Sequence, residues 1–300
     1  MSSTDRPLLG ILLMCGFCVL APVSDALAKL LGGAVPLGML MLVRFGAQLV
    51  LMGPLALLSG ASFQLTPRLW RLTLARTVLQ MGGITFMFSG LRFLPLADAV
   101  AIGFVFPFIL LLLGKLFLQE QVGPHRLSAC AIGFVGTLCV IQPNFAIFGA
   151  PALLPAISAV FFALYILVVR AMAKDMDPQA AQTVCGIQAC VVLLPLMLWG
   201  PTPLLSLVRT DGQTTALLVA LGAVGCFSHL FMSWSLRFAP SSTLAPMQYL
   251  EIPVSALIGW LIWTSWPNGL AAVGIVITIG AGVYIILRER AIAQGRPAAP

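Results

Sequence analysis

Long apolar runs alternate along this chain with short polar punctuation. A run of about 20 apolar residues is long enough for a helix to cross the hydrocarbon core of a bilayer. Breaking the runs at Pro, Gly and charge gives ten segments: 8–31, 36–59, 71–91, 97–118, 125–142, 150–170, 179–200, 214–236, 241–263 and 268–287. The links between them leave no room for a soluble catalytic domain. The pattern predicts an all-α integral membrane protein with ten transmembrane helices. Ala26-Leu27-Ala28 resembles a signal-peptide cleavage site, but the first apolar run is long and only Arg6 flanks it with positive charge, so it is read as a retained helix.

Composition strengthens this reading. Hydrophobic residues make up 60% of the 300 and charged residues 8%, against about 45–50% and about 25% in soluble domains. The formal charge of +7 comes from basic residues scattered singly or in pairs, which argues against nucleic acid as a partner. Their placement orients the chain instead. With the N-terminus inside, most of the 16 Lys and Arg, Arg76 among them, fall at inner segment ends, while Lys29, Arg92 and Arg209 fall outside and Arg44 within a helix. The chain is therefore expected in the inner (plasma) membrane with both termini cytoplasmic. The 7 cysteines, including Cys15-x-x-Cys18, sit almost wholly in apolar runs and read as small buried side chains rather than disulfides or metal ligands.

The two halves resemble each other. Leu91-Arg92-Phe93-Leu94-Pro95 recurs as Leu236-Arg237-Phe238-Ala239-Pro240, an offset of 145 residues (236 − 91). Each block leads into a helix with an internal proline, Pro107 or Pro253, and then into a glycine-bearing helix around Gly136 or Gly280; Pro54 and Pro195 also correspond. A duplicated unit with an odd number of helices enters the membrane in opposite senses. The expectation is two inverted five-helix repeats, 1–146 and 147–300, with a substrate site between them near mid-membrane.

At this point the chain resembles the ten-helix EamA-type members of the drug/metabolite transporter superfamily. The resemblance is carried by Leu94-Pro95-Leu96-Ala97-Asp98-Ala99-Val100-Ala101-Ile102, Phe106-Pro107, Leu118-Gln119-Glu120 and Gly133-Phe134-Val135-Gly136. In the second half Ala239-Pro240-Ser241-Ser242, Pro253, Gly259 and Gly280 answer them, so the resemblance covers essentially the whole chain. Many relatives close both the fourth and ninth helices with Gly-Glu; here the fourth keeps Gln119-Glu120 and the ninth ends Trp263-Thr264-Ser265-Trp266, so Glu120 is given no transport chemistry. The resemblance implies transport of a small organic metabolite, the family's cargoes including amino acids, riboflavin and S-adenosylmethionine.

Ionisable groups within lipid are costly, so each needs a reason. Glu251 falls mid-segment with Gln248 and Ser255 at i, i+3 and i+7, and Pro253 beside it removes a backbone donor, which points to a cavity-facing carboxylate that binds substrate or a proton. The alternative is a protonated acid tying helices together. Asp25 and Arg44 lie at similar depth on consecutive helices, as an ion pair requires, and Lys29 is a second partner for Asp25 or an interfacial snorkeller. His229 is either a proton-coupling group or an interhelical hydrogen-bonding residue, and His125 sits at a cytoplasmic end. Phe86, Phe104, Phe106, Phe161, Phe162, Tyr165, Trp234 and Tyr249 are candidate lining aromatics, most of them expected to be ordinary packing. Trp199, Trp263 and Trp266 read as interfacial belt residues.

There is no Gly-x-x-x-x-Gly-Lys-Ser/Thr run, no His-Glu-x-x-His and no Gly-x-Ser-x-Gly, so no cofactor, metal or ATP site is expected and the energy must come from a gradient. The resulting expectation is a secondary carrier working by alternating access. Its partners are a small metabolite, membrane lipid and a proton as candidate coupling ion, and a homodimer is compatible with it. The competing readings are a lipid-acting membrane enzyme, for which Asp175 and Asp177 beside Pro178 are the only close acidic pair, and a passive channel, which lacks a polar stripe. Asp177 as helix cap with Pro178 at the first helical position accounts for that pair without chemistry.

Overall fold

The computed structural model describes residues 6–106, 109–110, 113, 124–199, 202–240, 244, 247–265 and 269–293. Among them are ten α-helices: α1 (Pro7–Leu31), α2 (Leu37–Leu58), α3 (Pro67–Leu91), α4 (Leu96–Gly103), α5 (Pro124–Phe148), α6 (Leu153–Met172), α7 (Pro178–Trp199), α8 (Gly212–Phe238), α9 (Glu251–Trp263) and α10 (Gly269–Ala293). Helix starts follow local chemistry. The Thr66 hydroxyl accepts from the Leu69 N–H at 3.2 Å ahead of Pro67, and Asp211 accepts from the Thr214 N–H at 3.1 Å. Asp177 accepts from the Gln179 N–H at 2.9 Å with Pro178 opening α7, as the sequence indicates. Five helices, α1, α2, α6 (with the preceding Ala150–Ala152 turn), α7 and α8, are by themselves long and apolar enough to span a bilayer.

The pairing of helices carries the symmetry of the sequence. The main contacts are α1 with α8, α3 with α6, α2 with α7, α5 with α10 and α4 with α9. Exchanging the halves turns the α1–α8 contact into α6–α3 and maps the other three pairs onto themselves. The two repeats therefore interleave about a pseudo-two-fold axis, and each helix's principal neighbour belongs to the other half. Corresponding carbonyls accept from cations at the two ends, the donors standing one helical turn apart in register. Lys29 on α1 donates to the carbonyl of Leu91 at 2.9 Å and of Leu94 at 2.6 Å, and Arg170 on α6 donates to the carbonyl of Leu236, the residue 145 further on. Lys29 thus caps α3 rather than meeting Asp25. Arg92 donates to the Val35 carbonyl in the α1–α2 connection, and Arg237 pairs with Asp177, 3.5 Å away, in the α6–α7 connection.

Packing is inverted relative to a soluble protein. Leu12, Val50, Leu57, Leu58 and Val219 are exposed, as lipid contact allows, while Ser24, Gln48, Thr77, Gln80, Gln188, Gln248 and Glu251 are buried.

Two segments are broken where continuous helices are expected. The fourth, expected as a continuous 97–118, stops at Gly103, and Phe104–Val105 form a turn; Pro107, Phe108 and the Leu118-Gln119-Glu120 motif lie outside the described residues. The ninth, expected as 241–263, is interrupted by a turn at Tyr249–Leu250 before α9 begins. The breaks are 145 residues apart (249 − 104), so both repeats are interrupted at the same place. Pro253 is not the hinge of the ninth segment; it lies in the first turn of α9, where a missing N–H costs no helical bond. The fifth segment runs on to Phe148 instead of ending at 142. Ser241, Ser242 and Trp266 lie outside the described residues, as does the side chain of His125.

Candidate functional site

A cavity of about 90 Å³ lies where the repeats meet, walled by α1, α2, α3, α4, α6, α8 and the start of α9. Phe17 and Ala21 of α1, Leu79, Gln80, Gly83, Ile84, Met87 and Phe88 of α3, and Val100, Gly103, Phe104 and Phe106 around the first break form much of the lining. Ser158, Ala159 and Phe162 of α6 close it, with Ser158 donating to the Gly83 carbonyl at 2.7 Å.

Aromatic rings from equivalent positions meet here. Phe17 and Phe162, 145 apart, stack with centroids 6.2 Å apart and planes 16° from parallel. Phe104 and Tyr249, the residues that open the two breaks, lie 5.6 Å apart. Phe106 stands edge-on to Phe162 at 5.0 Å. Two contacts between symmetry mates place the pseudo-axis through this ring cluster.

The polar groups are asymmetric. Of the candidates named from sequence, Asp25, Arg44, His229 and Glu251 all reach the cavity wall, as does Phe104. Glu251 is the first residue of α9, not a mid-helix residue, because the chain breaks just ahead of it. A carboxylate in a helix's first turn is favoured by the helix dipole, and its Oε1 has no hydrogen-bond partner. Its counterpart 145 residues earlier is Phe106.

Asp25 and Arg44 share the cavity without the expected ion pair: among the described residues no carboxylate lies within 4.0 Å of Arg44. Instead its Nη1 donates to the Ser24 hydroxyl at 2.5 Å, and the guanidinium lies 6.0 Å over the Phe88 ring. The adjacent serine, one position round α1, takes the donor that depth alone would have given to Asp25. Gly225 makes room for this arginine, since a Cβ there would fall 1.6 Å from Nη1.

Three other candidates lie outside the lining. Tyr165 is fully buried one layer away, its hydroxyl 3.0 Å from His229 Nδ1. Tyr249 packs behind Phe104 and over Gly133. Gln248 is buried before the break, so the expected Gln248–Glu251–Ser255 face is not a continuous helical stripe; the Ser255 hydroxyl donates to the Glu251 carbonyl at 2.7 Å. Of the other aromatics, Phe106 and Phe162 line the cavity, Phe86 packs on Phe161, and Trp234 stacks on Phe238.

The sequence reading missed Phe17, Gln80 and above all Arg76. Placed at an inner helix end by charge counting, Arg76 is instead 1% exposed within the bundle. Its Nη2 lies 3.4 Å from both the Tyr165 hydroxyl and the Ser233 hydroxyl. The acidic pair that an enzyme reading needed is committed to structure. Asp175 pairs with Arg68 at 2.6 Å, and Asp177 caps α7 and faces Arg237. Among the described residues no group of three or more His, Cys, Asp or Glu is placed to hold a metal.

The model of the EamA-like transporter family matches twice, at residues 8–142 and 150–288. A riboflavin transporter of Rhizobium johnstonii is 29% identical over 220 residues, covering 73% of this chain and 71% of its own. An S-adenosylmethionine uptake transporter of Rickettsia prowazekii is 24% identical over 91% of this chain and 90% of its own. A riboflavin transporter of Vibrio cholerae is 25% identical over 95% of each. A solved crystal structure superposes with a TM-score of 0.75 at 21% identity, over 95% of this chain and 99% of the other, which establishes the common fold. With both halves matched in this way, the chain belongs to the EamA-like transporter family and is a multi-pass membrane transporter, not an enzyme.

Proposed function

We propose that the protein is a secondary carrier of a small organic metabolite bearing a flat ring system, held in the central cavity and moved across the inner membrane by alternating access. The two repeats, 1–146 and 147–300, rock about the cavity while both termini stay in the cytoplasm. The observation that carries this reading is the ring cluster on the pseudo-axis, Phe17, Phe162, Phe104 and Phe106, set beside Arg44, His229 and the two acids Asp25 and Glu251. Stacked rings hold a flat solute with little loss of side-chain freedom, and a few fixed polar groups orient it. The relatives named for riboflavin and S-adenosylmethionine carry flat heteroaromatic cargo, which fits such a lining; an amino acid would use the charged groups and leave the rings idle.

The breaks at Phe104–Val105 and Tyr249–Leu250 put Phe104 and Glu251 on the cavity wall at helix ends, and discontinuous helices of this kind are where transporters in membranes bind polar cargo. Glu251 is the group best placed to couple transport to a proton, being a carboxyl at a half-helix start with one oxygen unpartnered.

The test is counterflow of labelled riboflavin and S-adenosylmethionine in proteoliposomes. Saturable exchange is expected with the wild type, and its loss in Glu251→Gln, with reconstitution unchanged. Wild-type exchange by that variant would remove Glu251 from the mechanism. Absence of exchange for any flat heteroaromatic solute would overturn the cargo class.

A further inference from the structure

Arg76 lies nine residues into α3, about 14 Å from that end of the helix. A guanidinium stays charged at every accessible pH and offers five N–H donors. Arg68 and Arg237 each face a carboxylate, of Asp175 and Asp177, Arg92 donates to the Val35 carbonyl, and Arg44 donates to the Ser24 hydroxyl at 2.5 Å with only its Nε unpartnered. Arg76 has only its Nη2 engaged, by two hydroxyls at 3.4 Å, while Nε and Nη1 have no acceptor and no carboxylate lies within 4.0 Å among the described residues. The Tyr165 ring covers one face at 5.7 Å. A buried cation in that state lacks its counter-charge.

The position of Arg76 says where that charge enters. It lines a second, smaller cavity with Ser233, Val169 and Met172, on the side of the bundle where the α6–α7 connection turns at Met176–Pro178. The Tyr165 hydroxyl joins this cavity to the central one, 3.0 Å from His229 on the central wall and 3.4 Å from Arg76 beyond. Tyr165 thus stands as a single buried side chain between His229 on one wall and Arg76 on the other, and the second space, about 10 Å³, holds no more than a water until that side chain moves.

We propose that Arg76 and the Ser233 hydroxyl form an oxyanion-binding subsite, which receives the carboxylate or phosphate group of the cargo when Tyr165 swings aside. Three N–H bonds on Nε and Nη1 await acceptors, and charge-assisted bonds to an oxyanion are the strongest they can make. The subsite rests on the carrier reading for its cargo, and it divides cargoes by charge: an anionic group is held beyond Tyr165, while a neutral ring compound passes without this contact.

The test uses the full-length protein in lipid nanodiscs, titrated with sodium acetate and sodium phosphate against sodium chloride at equal ionic strength. Wild type is expected to be stabilised saturably by acetate or phosphate. Arg76→Gln should weaken that response by about tenfold or more, and Arg68→Gln, on the exposed surface, should leave it unchanged. Where Arg76→Gln fails to fold, Arg76→Lys and Ser233→Ala take its place, each weakening oxyanion binding severalfold. No saturable response in wild type, or an equal one in the Arg76 and Ser233 variants, overturns the subsite. Counterflow separates the two readings: a protein that exchanges no metabolite but binds oxyanions through Arg76 refutes the carrier and keeps the subsite. One that carries acidic and neutral cargo equally well with and without Arg76 refutes the subsite and keeps the carrier.

Discussion

Gly225→Ala is the sharpest probe of the cavity, because it moves one charged group without touching its chemistry. Gly225 of α8 faces the guanidinium of Arg44 on α2, and a methyl there would lie 1.6 Å from Nη1 and 2.4 Å from Cζ. Ordinary contact begins near 3.4 Å, so the guanidinium must retreat by about 2 Å. That breaks its 2.5 Å bond to the Ser24 hydroxyl. A hydrogen bond to a charged group contributes about 1.5–3 kcal/mol, and overpacking costs about 1–3 kcal/mol more. The helical preference for alanine over glycine returns roughly 1 kcal/mol, which leaves a net loss of about 1.5–5 kcal/mol. The assay is denaturant- or heat-induced unfolding in detergent, with cargo affinity read from counterflow. Gly46→Ala on α2, where a new Cβ meets nothing within 4 Å, is the control and should be neutral or slightly stabilising. In an Arg44→Ala background the cost of Gly225→Ala should largely vanish, since the two residues compete for the same space. Full additivity of the two substitutions, or a wild-type melt for Gly225→Ala alone, would refute the placement of Arg44.

Tyr165→Phe removes a hydroxyl that faces both His229 Nδ1 and Arg76 Nη2; each buried group left unsatisfied costs about 1–3 kcal/mol, read as a lowered melting temperature with secondary structure intact by circular dichroism. At the exposed start of α8, hydrogen bonding from Thr214 holds the Asp211 carboxyl below the ordinary carboxylate range. A depressed folded-state value stabilises above the unfolded pKa and is lost as pH falls through the folded one. Amide protection in the first turn of α8, corrected for intrinsic exchange, should therefore hold down to about pH 4 and fail below it, and Asp211→Asn should flatten that profile.

Much of the frame was legible in the sequence because its signals are local. Apolar length marks the spans, and the repeated Leu-Arg-Phe block gives the offset that later relates the helix breaks, the stacked phenylalanines and the cation clamps on Leu91 and Leu236. The breaks themselves were not legible. Tyr249–Leu250 carries neither Gly nor Pro, and the prolines that drew attention sit beyond the turns; an interruption next to a cavity is set by what surrounds it, not by propensity. Arg76 was misplaced for a different reason. Counting charge near segment ends treats the first two turns of a helix as interface, whereas Thr66-Pro67 is a start signal that sets Arg76 nine residues inside. From that start Thr73, Arg76, Thr77 and Gln80 form one buried polar face.

The asymmetry within this symmetric frame explains where chemistry resides. Groups that hold the fold recur at the 145-residue offset, since each repeat must insert and pack by the same rules whichever way it faces. The polar groups that reach the cavity do not recur: Glu251 stands opposite Phe106, His229 opposite Ile84, Arg44 opposite Ala189, and Gln80 opposite the Gly225 that makes room for Arg44. A perfectly two-fold cavity would present the same face to a solute in two orientations, which suits only a solute with that symmetry. Replacing one member of each pair by an ionisable or amide group gives the cavity a single preferred orientation for an asymmetric metabolite. The mates that stayed aromatic, Phe17 with Phe162 and Phe104 with Tyr249, supply the flat walls that any orientation uses. Intramembrane polar groups are costly to insert, so an ionisable or amide residue at only one of two equivalent positions is itself a pointer to the site, and one that needs only the offset and the sequence.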